Sequence, residues 1–452
     1  MNKTSEGNRG REVGQQLRTE NMENGKDAGL ENEEDETFYD FQLFITQMKD
    51  PRAEPIVKYT RSFLHNFVTQ KSLWSASEQV KLINDFKEFI YSKLALYEPF
   101  KGLDKAKFHN AKEGIEKLIM SKLYSRCFSP CLADESEALD ASHARDLEED
   151  KELADKALEY RFLLPNHLEV SDKFLPKIDA FAKMAGKELG RVNQYRAPRD
   201  KMVCILNACK VIFGFLKHSK LSNKGADAFI PMLIYAVLKS DVSCLESNLN
   251  YVERFRSPDS MRGESAYYLS SLQAAADFIL HLNRESLSIS DTEEFETLYA
   301  ENKLQADQER ARRDTHEGPG SEAEHYRRVR SPSPTRDIMG SVFSKVTEIF
   351  SPSPTPALPE TDESVTAPAT FVSPRNLSTA IANSTAAANS TSDNEAAATE
   401  LARKMEQEEN TRVFDSLQSM FPEMDQDLIS DVCIAKKYRI GVCVDVLLTL
   451  SN

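Results

Sequence analysis

The sequence contains few of the residues on which nucleotide-hydrolysing sites and disulfide frameworks depend. Only 16 of its 452 residues are glycine, and neither GxxxxGKS, GxxxxGKT nor GxGxxG occurs. A phosphate loop needs such glycines because backbone amides must approach the phosphates closely. The seven cysteines are an odd number scattered through a long chain, which is typical of reduced core thiols in a cytosolic protein. These absences argue against a nucleotide hydrolase and against a disulfide-stabilised secreted domain.

Patterns for metal binding and for membrane spanning are also missing. The pairs Cys127 and Cys131, and Cys204 and Cys209, are accompanied by no CxxC or HxxxH, so we expect no metal and no cofactor. The longest apolar run, Phe229–Leu238, is ten residues and too short to span a bilayer. The net charge is −15, from 57 Lys and Arg against 72 Asp and Glu. This acidity argues against nucleic acid or an anionic membrane as the main partner.

Two segments have the composition of disordered chain. Residues 1–37 carry ten acidic and five basic side chains and almost nothing apolar. Residues 301–400 hold nine of the nineteen prolines, and 27 of the 40 residues from 361 to 400 are Ser, Thr, Ala or Asn. Such segments cannot bury enough apolar surface to offset the entropy of ordering. The sequence therefore predicts an acidic tail over 1–37 and a disordered Ser/Thr/Pro/Ala-rich linker over 301–408.

The remaining chain shows helical periodicity and essentially no alternating strand pattern. Apolar residues recur every three or four positions from residue 38 onward, and Ser75 followed by Glu78 has the spacing of a capping box. Denser apolar stretches over 148–300 indicate helices that are buried on most sides. We predict an all-α protein. A helical bundle over 38–147 packs on a helical domain over 148–300, and three short helices form a small domain over 409–452.

Four separated blocks between residues 195 and 279 occur in an order and spacing typical of one family. They read YRAPRDKMVCILNACKVIFGFL, GADAFIPMLIYAVLKS, SNLNYVERFR and GESAYYLSSLQAAADFI. The segment closely resembles the catalytic domain of the vacuolar protein sorting-associated protein nine family. Members of that family catalyse nucleotide exchange on early-endosomal Rab GTPases of the Rab-five class. The stretch from residue 38 to about 164 resembles the helical bundle that precedes this domain in the family.

The resemblance assigns roles to four residues. Asp227 would enter the nucleotide site of the GTPase, compete with phosphate for the phosphate-loop lysine and disfavour the magnesium ion. Tyr267 would contact the GTPase, and Pro231 and Ser270 would lie on the same binding face. The residues alone also allow simpler interpretations: Asp227 as a helix N-cap, Pro231 as a first-turn proline, and Tyr267 with Tyr268 as core. Two adjacent helical positions point about 100° apart, so one tyrosine can pack inward while the other faces a partner.

The C-terminal segment resembles the CUE domain, a small ubiquitin-binding module of three helices. The resemblance rests on Met420, Phe421 and Pro422 and on the pair Leu447 and Leu448 near the chain end. It implies that these five residues bind the apolar face of ubiquitin. The alternative from the residues alone is that they form the hydrophobic core of a tiny domain. An exposed Met-Phe pair would instead provide an apolar interaction patch.

The combined expectation is a cytoplasmic exchange factor that acts without covalent chemistry and is recruited transiently to endosomal membranes. Its partners would be an endosomal Rab GTPase and ubiquitin or ubiquitinated cargo, and its ubiquitin-binding tail would move freely on the linker. The rival hypothesis is a ubiquitin-directed endosomal adaptor that binds the GTPase without exchange activity. Asp227 distinguishes the two, because an adaptor has no need for a carboxylate at that position.

Overall fold

The computed structural model describes residues 39–70, 73–133, 139–171, 175–218, 227–316 and 410–450, together with residue 407. Within these ranges the chain forms helices and short connections and no strand. The predicted all-α fold class is therefore confirmed. No helix in the described part of the chain is both long and apolar enough to cross a membrane. The predicted acidic tail and residues 317–406 of the predicted linker lie outside the described residues.

In the part of the chain that the structure describes, five helices form the N-terminal bundle. They are α1 (Phe41–Lys49), α2 (Glu54–Thr69), α3 (Ala76–Leu94), α4 (Lys105–Cys127) and the short α5 (Ser129–Leu132). The rings of Phe63 and Phe86 stack with centroids 4.0 Å apart and join α2 to α3. Phe44 of α1 packs directly over Gly114 of α4, where a Cβ would overlap the phenyl ring. A small residue at position 114 therefore allows α1 to lie close against α4.

The predicted capping box sets the start of α3. The Glu78 amide donates to Ser75 Oγ at 3.4 Å, and the Ser75 amide donates to Glu78 Oε2 at 2.9 Å. Asp104 caps α4 in a similar way by accepting from the amide of Lys107 at 2.8 Å. Each cap satisfies an amide that the first helical turn leaves without a partner. The predicted capping box at Ser75 and Glu78 is therefore confirmed.

Among the described residues, seven helices form the second, larger layer. They are α6 (Ala141–Tyr160), α7 (Leu175–Gly190), α8 (Pro198–His218), α9 (Phe229–Leu238), α10 (Leu245–Phe255), α11 (Glu264–Leu280) and α12 (Thr292–His316). Helix α8 is central and contacts α7, α9, α10 and α11. In α9 every residue except Ile230 and Pro231 is buried, as its dense apolar sequence predicts.

The structure shifts both predicted limits of the second domain. The limit at 147/148 falls inside α6, which runs unbroken from Ala141 to Tyr160. Asp146 on this helix accepts from Arg254 at 2.5 and 2.8 Å, from Asn250 at 2.9 Å and from Ser129 of the bundle at 2.5 Å. Helix α6 therefore belongs to both layers. The sequence of α6 did not predict that this helix joins the two layers, because the joining contacts are made by a charged side chain, Asp146, rather than by apolar residues.

The predicted end of the second domain at residue 300 also falls inside a helix, because α12 continues to His316. Asn302 is buried, and its side-chain amide donates to the carbonyls of Leu158 and Glu159 at 3.1 and 2.6 Å. Residues 301–316 contain no proline and are rich in Glu, Gln, Arg and Ala, which are good helix formers. The first sixteen residues of the predicted disordered linker are thus a helix packed on α6.

A buried ion-pair network joins the bundle to the second layer. Arg256, directly after α10, donates two bonds of 2.8 Å to Glu113 and one of 2.6 Å to Glu116, both on α4. Lys87 of α3 donates to Glu116 at 3.3 Å and to the carbonyl of Phe255 at 2.9 Å. Burial alone would raise the pKa of Glu113, but the nearby guanidinium of Arg256 holds it below its usual value. The network therefore favours the ionised form of Glu113 inside the protein.

A second buried cation stabilises the contact between the bundle and the second layer. Lys201 of α8 is fully buried, and its ammonium lies 4.7 to 5.7 Å from the ring centroids of Phe128, Tyr124 and Tyr251. It also donates to the side-chain oxygen of Asn248 at 2.6 Å. Burial lowers the pKa of Lys201 to about 7. The rings come from both layers, so this lysine is a shared core residue.

The C-terminal module consists of three short helices, as predicted. They are α13 (residues 410–420), α14 (Gln426–Ala435) and α15 (Ile440–Leu450). Contrary to the expectation of a freely moving tail, α15 packs along α8, and Leu447 and Leu448 share one hydrophobic core with Phe215 and Leu216. The physical reason is size: three short helices enclose little apolar surface by themselves. Docking on α8 extends their core.

The network predicts a large difference between two arginines that are six positions apart. Replacing Arg256 with alanine leaves Glu113 and Glu116 buried without their main cation and should destabilise the protein by about 3–5 kcal/mol. The matched change Arg262→Ala removes an ion pair with Asp259 whose side chains are 76% and 75% exposed, and should cost under about 1 kcal/mol. Urea unfolding of both variants measures the difference. Equal losses would contradict a structural role for the network.

Candidate functional site

Asp227 lies two residues before Phe229, the first residue of α9, and is exposed. The N-cap position of α9 is taken by Ala228, and no side chain caps this helix. The interpretation of Asp227 as an N-cap is therefore wrong. Among the described residues, no hydrogen bond or ion pair involves its carboxylate. A charged group in this state keeps its hydration and can be transferred to a partner without breaking an internal contact.

Tyr267 lies at the start of α9 because its helix packs against α9. The ring of Tyr267 stacks on that of Phe229, the first residue of α9, with centroids 5.9 Å apart and planes at 17°. Tyr267 is 49% exposed, whereas Tyr268 is only 4% exposed. The helical offset of about 100° between neighbours thus places one tyrosine outward and the other in the core. Partial burial raises the pKa of Tyr267, so its hydroxyl stays protonated.

Gly263 sets the direction in which α11 leaves the preceding turn. Its φ is 57° and its ψ is −124°, a conformation that L side chains rarely adopt. The amide of Tyr267 donates to the carbonyl of Gly263 at 3.1 Å, which closes the first turn of the helix. The glycine therefore helps to fix where Tyr267 stands.

The other two predicted residues lie on the same side. Ser270 is exposed, one turn after Tyr267, and its hydroxyl donates to the Tyr267 carbonyl at 3.0 Å. Pro231 is half-buried in the first turn of α9, where its missing N–H has no intrahelical acceptor to lose. All four residues assigned by resemblance are thus presented at the adjoining ends of two packed helices.

Two further residues belong to this surface and were not found from the sequence. Ile230 is 39% exposed and Phe213 of α8 is 40% exposed, and the Phe213 ring meets Phe229 edge-on with centroids 6.0 Å apart. Both sit in continuous apolar stretches, where periodicity cannot show which residue faces solvent. We call the surface the α9–α11 face, and it consists of Phe213, Asp227, Ile230, Pro231, Tyr267 and Ser270.

The α9–α11 face has the chemistry of a binding surface. Three large apolar side chains are partly exposed next to one carboxylate, which is the composition of a protein interaction patch. Within the described ranges, no group of His, Cys, Asp and Glu is arranged to hold a metal ion. The arrangement offers an exposed carboxylate together with apolar side chains that can bury surface against a partner.

The C-terminal module presents its five predicted residues unequally. Pro422 is exposed and Met420 is half-buried, but Phe421, Leu447 and Leu448 are 5%, 0% and 6% exposed. The expectation that the Met-Phe pair lies at an exposed helix end is therefore wrong for Phe421. Helix α13 ends at Met420, two residues before Pro422, which agrees with the prediction that this proline terminates the helix. The Leu pair lies inside the shared core rather than on an open patch.

Comparison with known proteins identifies the parts of the chain that carry these residues. Residues 182–284 match the family model described as the vacuolar sorting protein 9 (VPS9) domain, and residues 410–451 match the CUE domain. The chain carries a VPS9 domain followed by a CUE domain. Residues 58–124 match a domain of unknown function, DUF5601, which corresponds to α2 through most of α4. The VPS9 match contains the whole α9–α11 face, and the CUE match contains Met420 through Leu448.

Curated relatives come from fungi, plants and animals. The vacuolar protein sorting-associated protein vps901 of Schizosaccharomyces pombe is 40% identical over 276 residues, covering 61% of this chain and 47% of that protein. The Arabidopsis thaliana vacuolar protein sorting-associated protein 9A is 30% identical, covering 58% and 48%. The human Rab5 GDP/GTP exchange factor is 32% identical, covering 53% and 46%. The chain thus spans about half the length of each of these relatives.

The unequal placement of the two tyrosines predicts unequal costs of truncation. Tyr268→Ala removes a buried ring from the core and should cost about 3–5 kcal/mol of unfolding free energy. Tyr267→Ala loses one stacking contact at a half-exposed position and should cost about 1 kcal/mol. Thermal or urea unfolding of the two variants tests the assignment. A loss at Tyr267 as large as that at Tyr268 would mean that Tyr267 is mainly a core residue.

Proposed function

We propose that this chain is a guanine-nucleotide exchange factor for a Rab GTPase of the Rab5 class, and that its CUE domain binds ubiquitin. The VPS9 match and the name of the human relative support the first part. The observation that carries it is Asp227: an exposed carboxylate, with no partner among the described residues, at the edge of a partly apolar surface. The chemistry is nucleotide release, and no covalent intermediate is formed.

Asp227 would act by displacement. A GTPase holds its nucleotide through backbone amides, a lysine and a magnesium ion, all of which favour negative charge. A carboxylate inserted there competes with the phosphates for the lysine and disfavours the metal ion. By thermodynamic linkage, a protein that binds the empty GTPase more tightly than the loaded form must weaken nucleotide binding by the same factor.

The rest of the α9–α11 face would supply the binding energy for this insertion. The exposed parts of Tyr267, Ile230 and Phe213 would bury apolar surface against the GTPase. Ser270 and Pro231 would line the same contact. Because Tyr267 stacks on Phe229 two residues after Asp227, the tyrosine also fixes the distance between the docking contact and the inserted charge.

The CUE domain would bind ubiquitin through its Met420–Pro422 segment and the Leu447–Leu448 end of α15. Support comes from the family match over residues 410–451. Ubiquitin on endosomal cargo would then bring this otherwise cytoplasmic protein to the membranes where its GTPase acts. A role in vacuolar or endosomal protein sorting follows from that recruitment and agrees with the names of the fungal and plant relatives.

Replacing Asp227 with asparagine should lower the rate of nucleotide release from a Rab5-class GTPase by about 100-fold, the usual loss when one electrostatic group at a reacting centre is removed. The change keeps the shape of the side chain and removes its charge. Release of a fluorescent GDP analogue from the GTPase measures the rate. Because Asp227 is exposed, the melting temperature should not change.

Asp241→Asn provides the matched control. Asp241 is exposed just beyond the opposite end of α9, so this variant loses the same charge away from the α9–α11 face and should release nucleotide at the wild-type rate. Wild-type activity in Asp227→Asn would contradict the insertion mechanism. A wild-type chain that binds the GTPase but releases no nucleotide would instead support the adaptor hypothesis.

The ubiquitin assignment is tested most cleanly at Met420. Met420→Asp should weaken ubiquitin binding at least about tenfold, a loss typical of placing a charge in an apolar interface, as measured by calorimetric titration. Ile434→Asp is the control, since Ile434 is 60% exposed on α14 of the same domain and should leave the affinity unchanged. Leu447→Asp is less informative, because Leu447 is fully buried and the substitution should unfold the module. Equal affinities of both Asp variants would contradict the assignment at Met420.

A further inference from the structure

The contact between the CUE domain and the VPS9 domain is built for close approach of two helices. Gly214 of α8 is buried under α15, and a Cβ at this position would lie 3.8 Å from both Leu448 Cδ1 and Val444 Cγ1. Gly441 of α15 is buried against α8, and a Cβ there would lie only 2.7 Å from Lys210 Cβ. Gly441 therefore lets the two backbones come together, whereas a Cβ at position 214 would make only an ordinary contact with α15.

Polar contacts at the edge of this interface fix its register. Lys187 of α7 donates to the hydroxyl of Ser416 on α13 at 2.8 Å. Lys217 of α8 lies 3.6 Å from the carboxylate of Asp445 on α15. The Lys217–Asp445 pair is more than 40% exposed on both sides, so these contacts orient the module more than they stabilise it. The apolar strip around Gly214 carries the docking energy.

The docked helix face includes residues that the CUE domain would use for ubiquitin. Leu448 lies directly against the Gly214 position and Leu447 is fully buried, so the Leu pair is closed to any other partner in this state. Only Pro422 and part of Met420 remain open. We propose that the structure is a closed state in which α8 covers the ubiquitin-binding side of α15, and that ubiquitin and α8 compete for this side.

The closed state leaves the GTPase-binding surface open. Tyr267, Ile230 and Phe213 remain 49%, 39% and 40% exposed while α15 is docked. Lys210 separates the two surfaces: its stem packs on Gly441, and its ammonium pairs with Glu264 of α11 at 2.8 Å. The contact therefore masks the ubiquitin site rather than the α9–α11 face. The inference rests on the proposed ubiquitin binding and adds an internal competitor to it.

Competition has a defined effect on affinity. If the open state is a fraction f of the molecules, the apparent dissociation constant for ubiquitin is the intrinsic constant divided by f. An open fraction of about 10% thus weakens the apparent affinity about tenfold. A substitution outside the CUE domain that releases α15 from α8 should therefore strengthen the apparent affinity for ubiquitin by that same factor.

Gly214→Glu is such a change. It places a carboxylate against Leu448 and Val444 in the closed state, whereas in the open state the same side chain faces water. On α8 it would also lie four residues after Lys210 and three before Lys217, spacings that favour ion pairs on a helix. The full-length variant should bind monoubiquitin about tenfold more tightly than the wild type in calorimetric titration. Gly214→Ala is the control: its Cβ makes an ordinary contact with α15, so the wild-type affinity should remain.

A second readout follows the docking itself. A carbodiimide reagent should link Lys217 to Asp445 in the full-length wild type, and mass spectrometry of the digest identifies the joined peptides. We expect this cross-link to be lost in Gly214→Glu and also in the wild type at saturating monoubiquitin. Gly441→Ala, which forces its Cβ into Lys210 from the other side of the interface, should likewise reduce the cross-link and raise the affinity for ubiquitin.

The outcomes separate this proposal from the one on which it rests. If Gly214→Glu loses the cross-link but binds ubiquitin no more tightly than the wild type, docking does not mask the site and the competition is refuted. A cross-link that persists in the wild type at saturating ubiquitin refutes it equally, because ubiquitin then binds a surface that α8 does not cover. If the released variant binds no ubiquitin at all, the ubiquitin assignment itself fails, and the competition fails with it.

Discussion

Two carboxylates buried inside the protein determine how its two helical layers must be assembled. Glu113 and Glu116 of α4 are buried, and a buried charge is tolerated only when a cation and hydrogen bonds replace its water. Arg256 and Lys87 supply these, one from the end of α10 and the other from α3. Any displacement of the bundle would leave the carboxylates unpaired, so α10 is held in place. Helices α9, α10 and α11 all pack on the central helix α8. Fixing α10 therefore also fixes the positions of α9 and α11.

The sequence predicted the elements of the fold well and their contacts poorly. Helical periodicity located the helices of both layers, and the Ser75–Glu78 spacing gave the start of α3, because these signals are local. Local signals do not show what covers an apolar face. The docking of α15 on α8, and with it the burial of Leu448, depends on residues more than two hundred positions apart. Asp146 was likewise unpredictable, since nothing near it in the sequence indicates a partner on α10.

For the α9–α11 face, too, the sequence pointed to individual residues but did not show the packing that decides which side chains are exposed. The resemblance assigned Asp227, Pro231, Tyr267 and Ser270, and the structure presents all four on adjoining helix ends, although their roles in exchange stay predictions. Phe213 was missed because every neighbour in its stretch of α8 is also apolar. Its exposure is decided by the packing of Phe229 beneath it. A surface made by three helices therefore needed the fold before its extent could be seen.

Helix α6 makes the bundle and the VPS9 domain structurally inseparable. Its Asp146 holds groups from both layers, including Ser129 before it and Arg254 after it. A fragment that started at residue 148 would leave the guanidinium of Arg254 without its carboxylate and expose the apolar side of α10 that faces α4. The two layers therefore form one structural unit, whereas the CUE domain is attached to that unit through its contacts with α7 and α8.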